Sequence, residues 1–141
     1  MKCQEVMKSD FDYVSPRDTV EDAALKMRDL NIGFLPVCDQ SRKVVGTLTD
    51  RDIAIRVVAE KRQGSVHIED VMTKEVVACG PGDELQKAEE LMAQRHKSRV
   101  MCVNERGELM GIISLSDIAQ HDQGSKAVET LRKISDREAR F

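Results

Sequence analysis

Gly46-Thr47-Leu48-Thr49-Asp50-Arg51-Asp52 and Gly111-Ile112-Ile113-Ser114-Leu115-Ser116-Asp117 share one pattern: a glycine, two β-forming residues, a hydroxyl residue, two spacers and an aspartate. Each reads as a strand running straight into a helix. Working outward at the same offset, Val6 and Met7 fall on Val71 and Met72, and Pro16 and Asp18 on Pro81 and Asp83. Ala23 then meets Ala88, Met27 meets Met92, and Asp52-Ile53-Ala54 meets Asp117-Ile118-Ala119. Self-similarity at one fixed offset marks a duplicated structural unit.

Each copy predicts strand, helix, strand, strand, helix, an α/β (α+β) pattern. A short extended segment, Asp12 to Val14 or Val76 to Cys79, leads through Pro16 or Pro81 to the first helix. Asp18 with Glu21, and Asp83 with Gln86, have the spacing of a capping box. The apolar positions Val20, Ala23, Ala24, Met27 and Leu30 recur at helical period and predict a buried stripe, as do Leu85, Ala88, Leu91 and Met92. Two short apolar runs follow, Phe34 to Cys38 then Val44 to Thr49, or Val100 to Val103 then Leu109 to Ser114, and each pair reads as a hairpin. The last helix begins at Asp50 or Leu115.

The expected boundaries are 1–62 for the first repeat, 66–122 for the second and 124–141 for an added C-terminal helix carrying Ala127, Val128, Leu131 and Ile134. At 141 residues, neither half could bury enough apolar surface alone. The two repeats are therefore expected to pack sheet against sheet as one module.

Composition narrows the function. With 40% hydrophobic and 33% charged residues, the chain can build a core. A net charge of -3, 3% aromatic residues and no Trp argue against nucleic acid, which needs clustered basic residues or stacking rings. The N-terminus lacks the apolar core of a signal peptide and no stretch reaches membrane-spanning length; the expectation is a cytoplasmic protein without a membrane role. Cys3, Cys38, Cys79 and Cys102 show no metal-ligand spacing, so buried free thiols are expected, with no metal. No nucleophile elbow, phosphate loop or catalytic Cys/His pair is present, so no enzymatic activity is expected. Met7, Met27, Met72, Met92 and Met110 read as core filling, and His67 and His96 as solvated surface side chains.

The duplicated motif has its own chemistry. A helix starting at a strand end presents unpaired amides and a partial positive charge, which favours phosphate. Thr49 and Ser114 add hydroxyl donors, while Asp52 and Asp117, one turn on, suit sugar hydroxyls. Together these features fit a ribose phosphate. The same spacing is also a plain helix cap, and both readings stand at this level.

The glycine-to-aspartate motif, the upstream Val-Met, the proline before the first long helix and the apolar strand Ile32-Gly33-Phe34-Leu35-Pro36-Val37 resemble the cystathionine β-synthase (CBS) domain, over roughly Val6 to Gln120. The resemblance implies a pair of repeats with pseudo-twofold symmetry and two clefts. It implies an adenosine-containing ligand such as AMP, ADP or ATP, with no cofactor required. By that likeness, Asp52 and Asp117 hold ribose hydroxyls, Thr49, Ser114 and Ser116 meet phosphate, and Arg99 supplies a basic contact where the first copy has Phe34. Lys8-Ser9 and Thr73-Lys74 reach the cleft of the opposite copy. The second copy departs from the family pattern at Met101, where the first has Pro36. Similar pairs form homodimers and regulate a partner; no catalytic or transport domain accompanies this pair, so its output is expected in trans, on a target protein the chain does not name. The alternative from a different class is a ligand-free structural dimerisation scaffold.

Overall fold

The computed structural model describes residues 1–121 and 129–134. The chain forms helix α1 (Cys3–Val6), helix α2 (Val20–Leu30), strands β1 (Phe34–Cys38) and β2 (Val44–Thr49), and helix α3 (Asp50–Ile53). Strand β3 (Ala78–Cys79), helix α4 (Leu85–Arg95), strands β4 (Arg99–Val103) and β5 (Leu109–Ser114) and helix α5 (Leu115–His121) follow. The predicted order is complete in the second copy and holds from the long helix onward in the first. Of the expected C-terminal helix, residues 129–134 are helical; the rest of that expectation lies outside the described residues.

Both hairpins form as the apolar runs demand, β1 antiparallel to β2 and β4 antiparallel to β5. The third strand differs between copies. β3 pairs in parallel with β4 to complete a three-stranded sheet, whereas its counterpart is reduced to a single parallel bridge between Val14 and Val37. Val14 donates to Pro36 O at 3.0 Å and accepts from Cys38 N at 2.9 Å, so Pro36 takes part through its carbonyl and its missing N–H is not needed there.

The helix starts correct the sequence reading by one residue. Asp18 accepts from Ser15 N (2.9 Å) and Asp83 from Gly80 N (2.7 Å), so each closes the turn before the helix. The capping box belongs to Thr19 and Asp22, with Thr19 Oγ1 accepting from Asp22 N at 3.2 Å and Asp22 Oδ2 from Thr19 N at 3.1 Å. At α4 the N-cap position is Glu84, whose carboxylate is drawn away to Lys2 Nζ at 2.7 Å. The buried stripe of α2 is also narrower than expected: Val20, Ala23 and Met27 are buried, but Ala24 and Leu30 are exposed. An eleven-residue helix over two strands and one bridge covers little more than one row of side chains.

Contacts divide the chain into two compact units that do not follow the sequence repeats: Asp12–Val76, and Met1–Phe11 together with Val77–Phe141. We call them the Asp52 unit and the Asp117 unit. Each repeat gives up its leading segment to the body of the other, through equivalent backbone bonds. In the Asp117 unit, Cys3 N donates to Asp83 O, Gln4 N to Pro81 O and Leu85 N to Met1 O, each at 2.9 Å. In the Asp52 unit, Ile68 N donates to Asp18 O (2.9 Å), Glu69 N to Pro16 O (3.0 Å) and Val20 N to Val66 O (3.0 Å). Helix α1, which the sequence reading had missed, occupies the place taken by a 3-10 turn at Ile68–Asp70 in the other unit.

Each unit has its own core. The Asp52 unit buries Val14, Val20, Leu35, Val37, Leu48 and Ile68; the Asp117 unit buries Met92, Val100, Ile113 and Ile118 with Cys3, Cys79 and Cys102. All four cysteines are buried and free, as expected. Burial pushes the Cys3 thiol up to about 12 and the Cys38 thiol to about 11, so both are thiols rather than reactive thiolates at neutral pH.

Candidate functional site at the duplicated strand–helix junction

The glycine that opens each motif explains how the exchanged segment reaches the site. A Cβ on Gly111 would lie 2.7 Å from Met7 Sδ and 3.0 Å from Lys8 O; one on Gly46 would lie 2.7 Å from Thr73 O and 2.8 Å from Met72 Sδ. Only glycine leaves room for that crossing. Lys8 then pairs with Ile112 (N to O 2.9 Å, O from N 3.0 Å) and Thr73 with Thr47 (2.9 Å both ways). Lys8 and Thr73 are equivalent positions of the repeat, as are Ile112 and Thr47.

In the Asp117 unit, Ser114 ends β5 and starts α5. Its N–H and hydroxyl donate to Asp117 Oδ2 at 2.9 and 2.8 Å, and its Oγ lies 2.9 Å from Ser116 Oγ. The other carboxylate oxygen, Oδ1, faces Lys8 Nζ at 3.3 Å. Asp117 is 4% exposed. Burial alone would raise its carboxyl, but the backbone and hydroxyl donors of Ser114 and the Lys8 ammonium outweigh it and hold the group below the usual carboxylate range. Arg99, exposed at the start of β4, stands opposite Ser114 in the ladder.

The Asp52 unit repeats the frame with different chemistry. Thr49 and Asp52 form a full capping box, Thr49 Oγ1 accepting from Asp52 N at 3.1 Å and Asp52 Oδ2 from Thr49 N at 3.0 Å. Asp52 Oδ1 faces the Thr73 hydroxyl at 3.5 Å and Arg56 Nη2 at 4.0 Å. Arg56 also donates to Val71 O at 2.9 Å. It stands in a π-helical turn, Ala54–Val58, closed by Ala59 N to Ala54 O at 2.9 Å.

The structure thus realises the capping reading in full, and it leaves one oxygen of each carboxylate turned toward the exchanged segment. Thr49, Asp52 and Thr73 come together in one unit, and Lys8, Ser114, Ser116 and Asp117 in the other, with Arg99 placed by register. Ser9 and Lys74 are exposed beside them in the chain. Arg56 escaped the sequence reading; its i,i+4 spacing from Asp52 was the available signal. His67 and His96 are tied down more than expected, each with Nδ1 against a carbonyl, Arg17 O at 2.8 Å and Lys133 O at 2.7 Å.

Comparison with known proteins bears on this arrangement. The CBS domain profile matches residues 3–59 and 68–124. The CBS domain-containing protein YhcV of Bacillus subtilis is 36% identical over 124 residues, covering 88% of this chain and 87% of that protein. A conserved CBS domain protein of Thermoplasma acidophilum superposes with a TM-score of 0.81 at 24% identity, across 94% of this chain and 75% of that one. CBSX2, solved in complex with AMP, superposes with a TM-score of 0.73 at 22% identity, across 85% of this chain and 94% of that one. Among the described residues no helix is long and apolar enough to cross a membrane. This chain belongs to the CBS domain family and carries two tandem CBS domains.

Proposed function

We propose that the chain is a ligand-sensing regulatory module that holds an adenosine-containing ligand, AMP, ADP or ATP in kind, and acts as a homodimer on a partner protein in trans without chemistry of its own. The observation that carries this reading is the position of the second carboxylate oxygens. Asp117 Oδ1 and Asp52 Oδ1 are not used by the caps; among the described residues, each meets side chains of the exchanged segment or of the next helical turn. Those weak, partly exposed contacts are replaceable by vicinal sugar hydroxyls. Thr49, Ser114 and Ser116, with Lys8 and Arg99, supply donors for phosphate. The AMP complex of CBSX2 supports the ligand class through the shared fold; the residue roles rest on this chain's own geometry.

Calorimetric titration with AMP, ADP, ATP and S-adenosylmethionine tests the proposal. Binding raises the unfolding free energy by about 2.7 kcal/mol at a hundredfold excess over Kd. Asp117→Ala is expected to weaken binding more than Asp52→Ala, since the Asp117 unit offers Lys8 and Arg99 to the phosphate. Unchanged affinity in both variants would remove the sugar contacts from consideration.

One observation favours the scaffold reading: among the described residues, no buried side-chain nitrogen or oxygen lacks a partner, so the junctions are stable without a ligand. Absence of both heat and thermal stabilisation at millimolar nucleotide would decide for it.

A further inference from the structure

Three of the four cysteines, far apart in the chain, converge in the Asp117 unit. Cys3 lies on α1, Cys79 on β3 and Cys102 on the neighbouring β4. Cys79 Sγ lies 3.6 Å from Cys3 Sγ and 3.6 Å from Cys102 Sγ, and all three sulfurs lie within 4.8 Å of one another. A point equidistant from all three is therefore no more than about 2.4 Å from each, the length of a metal–thiolate bond, about 2.3 Å for zinc. Such a point is where a single three-coordinate atom would bond all three sulfurs.

The repeat shows that the fold does not require thiols at this place. The equivalent positions in the Asp52 unit are Ile68, Val14 and Val37, all buried at 0 to 1% exposure. Aliphatic side chains fill the same space there, so three separate sequence differences have brought sulfur to one point.

The surroundings select the guest. The rest of the cluster is apolar: Val6, Val77, Leu85, Ala88, Met92, Val100, Ile113, Ile118 and Ile134. The Asp83 carboxylate bears on the sulfurs from outside this cluster and raises the Cys3 and Cys79 thiols, so it adds to the cost of negative charge there. Three thiolates around a monovalent or divalent ion would leave net negative charge in this core, at a severe desolvation cost. A trivalent thiophile leaves none.

We propose that Cys3, Cys79 and Cys102 form a buried trithiol site for a trivalent thiophilic element, with arsenic(III) as its probe. Arsenous acid, As(OH)3, reacts with three thiols to give As(SR)3 and three waters. Three As–O bonds break and three As–S bonds form, each thiol proton leaves in a water, and arsenic stays in the +3 state. Reactants and product are all neutral, which is the condition this core imposes. The product ties α1 to β3 and β4, so it cross-links the exchanged leading segment to the body that holds it.

The test uses the reduced full chain with sodium arsenite. Native mass spectrometry should show one arsenic gained and three hydrogens lost per chain, arsenic X-ray absorption should show three sulfur neighbours and no oxygen, and the unfolding midpoint should rise. Cys79→Val and Cys102→Val, the residues the other unit carries at these positions, should weaken uptake at least tenfold, and Cys38→Val should leave it unchanged. Should either variant fold poorly, alkylation mapping of the wild-type chain in urea, which opens the buried thiols to reagent, decides: arsenite should protect Cys3, Cys79 and Cys102 but not Cys38. Equal uptake by wild type and Cys79→Val, a shell containing oxygen, protection of Cys38 alone, or Zn2+ or Cd2+ bound at these sulfurs more tightly than arsenite would each overturn the proposal.

Discussion

Gly111→Ala puts the exchange of leading segments to a direct test. The added Cβ would sit 2.7 Å from Met7 Sδ, 2.8 Å from Met7 Cγ and 3.0 Å from Lys8 O. The methionine can swing aside, but the backbone carbonyl cannot move without breaking its bond. Overpacking of this kind costs about 1 to 3 kcal/mol. Forcing Lys8 away weakens two backbone bonds, Lys8 N to Ile112 O at 2.9 Å and Ile112 N to Lys8 O at 3.0 Å, each worth about 0.5 to 1.5 kcal/mol. Against this, Gly to Ala inside a strand gains about 0.5 to 1 kcal/mol through the unfolded chain. The net expectation is a loss of about 1 to 5 kcal/mol in urea-induced unfolding. Gly82→Ala is the control: nothing lies within 4 Å of its Cβ position, so it should be neutral or slightly stabilising. If Gly111→Ala matched Gly82→Ala, with the Lys8 amide still protected from hydrogen exchange, the close crossing would be refuted.

Three other perturbations address the junctions. Thr49→Ala removes one cap and should cost about 1 kcal/mol, whereas Ser114→Ala also strips a 2.8 Å hydroxyl donor from the buried Asp117 and should cost about 1 kcal/mol more in the same unfolding assay. Because the folded Asp117 carboxyl lies below its unfolded value, its stabilisation is fully present above about pH 4 and lost as pH falls through the folded value; Asp117→Asn should lower stability at neutral pH and flatten the acid limb of stability against pH. Lys8→Gln should raise the Asp117 carboxyl in a carbon-13 NMR titration while barely moving the unfolding midpoint, since the Lys8 side chain is 71% exposed.

What could be read in the sequence was whatever depends on neighbours along the chain. The hairpins follow from two short apolar runs around Asp39 and Asn104, and the strand-to-helix junctions from hydroxyl and aspartate three residues apart. The helix caps slipped by one residue because Asp18 and Thr19 both have cap chemistry, and only the turn from Ser15 decides that Asp18 is already engaged. The thiol cluster escaped notice because its members come from three elements, so no spacing rule applies. Lys8 and Thr73 were assigned to the opposite copy by family likeness alone. Their physical signal is the glycine at 46 and 111, whose role as a crossing point needs three dimensions to be seen.

Duplication supplies the same backbone frame twice, and the side chains that face it have since diverged in charge. Around Asp117 the equivalent positions carry Lys8, Arg99, Leu115 and Ser116; around Asp52 they carry Thr73, Phe34, Asp50 and Arg51. The first set places two basic side chains against one acid, and the second, with Arg56 and Lys74 added, places three against two. A phosphate at the start of α5 therefore meets a surplus of positive charge and one carboxylate, whereas at the start of α3 it meets two carboxylates in the first turn, Asp50 and Asp52. An anionic ligand should fill the Asp117 unit first and depend there on ionic strength, while a neutral adenosine compound, with no phosphate to respond to that surplus, should distinguish the two units far less. Titrating AMP and adenosine in parallel at two salt concentrations separates this charge-based inequality from a difference in sugar or base contacts, because only the former vanishes with the phosphate.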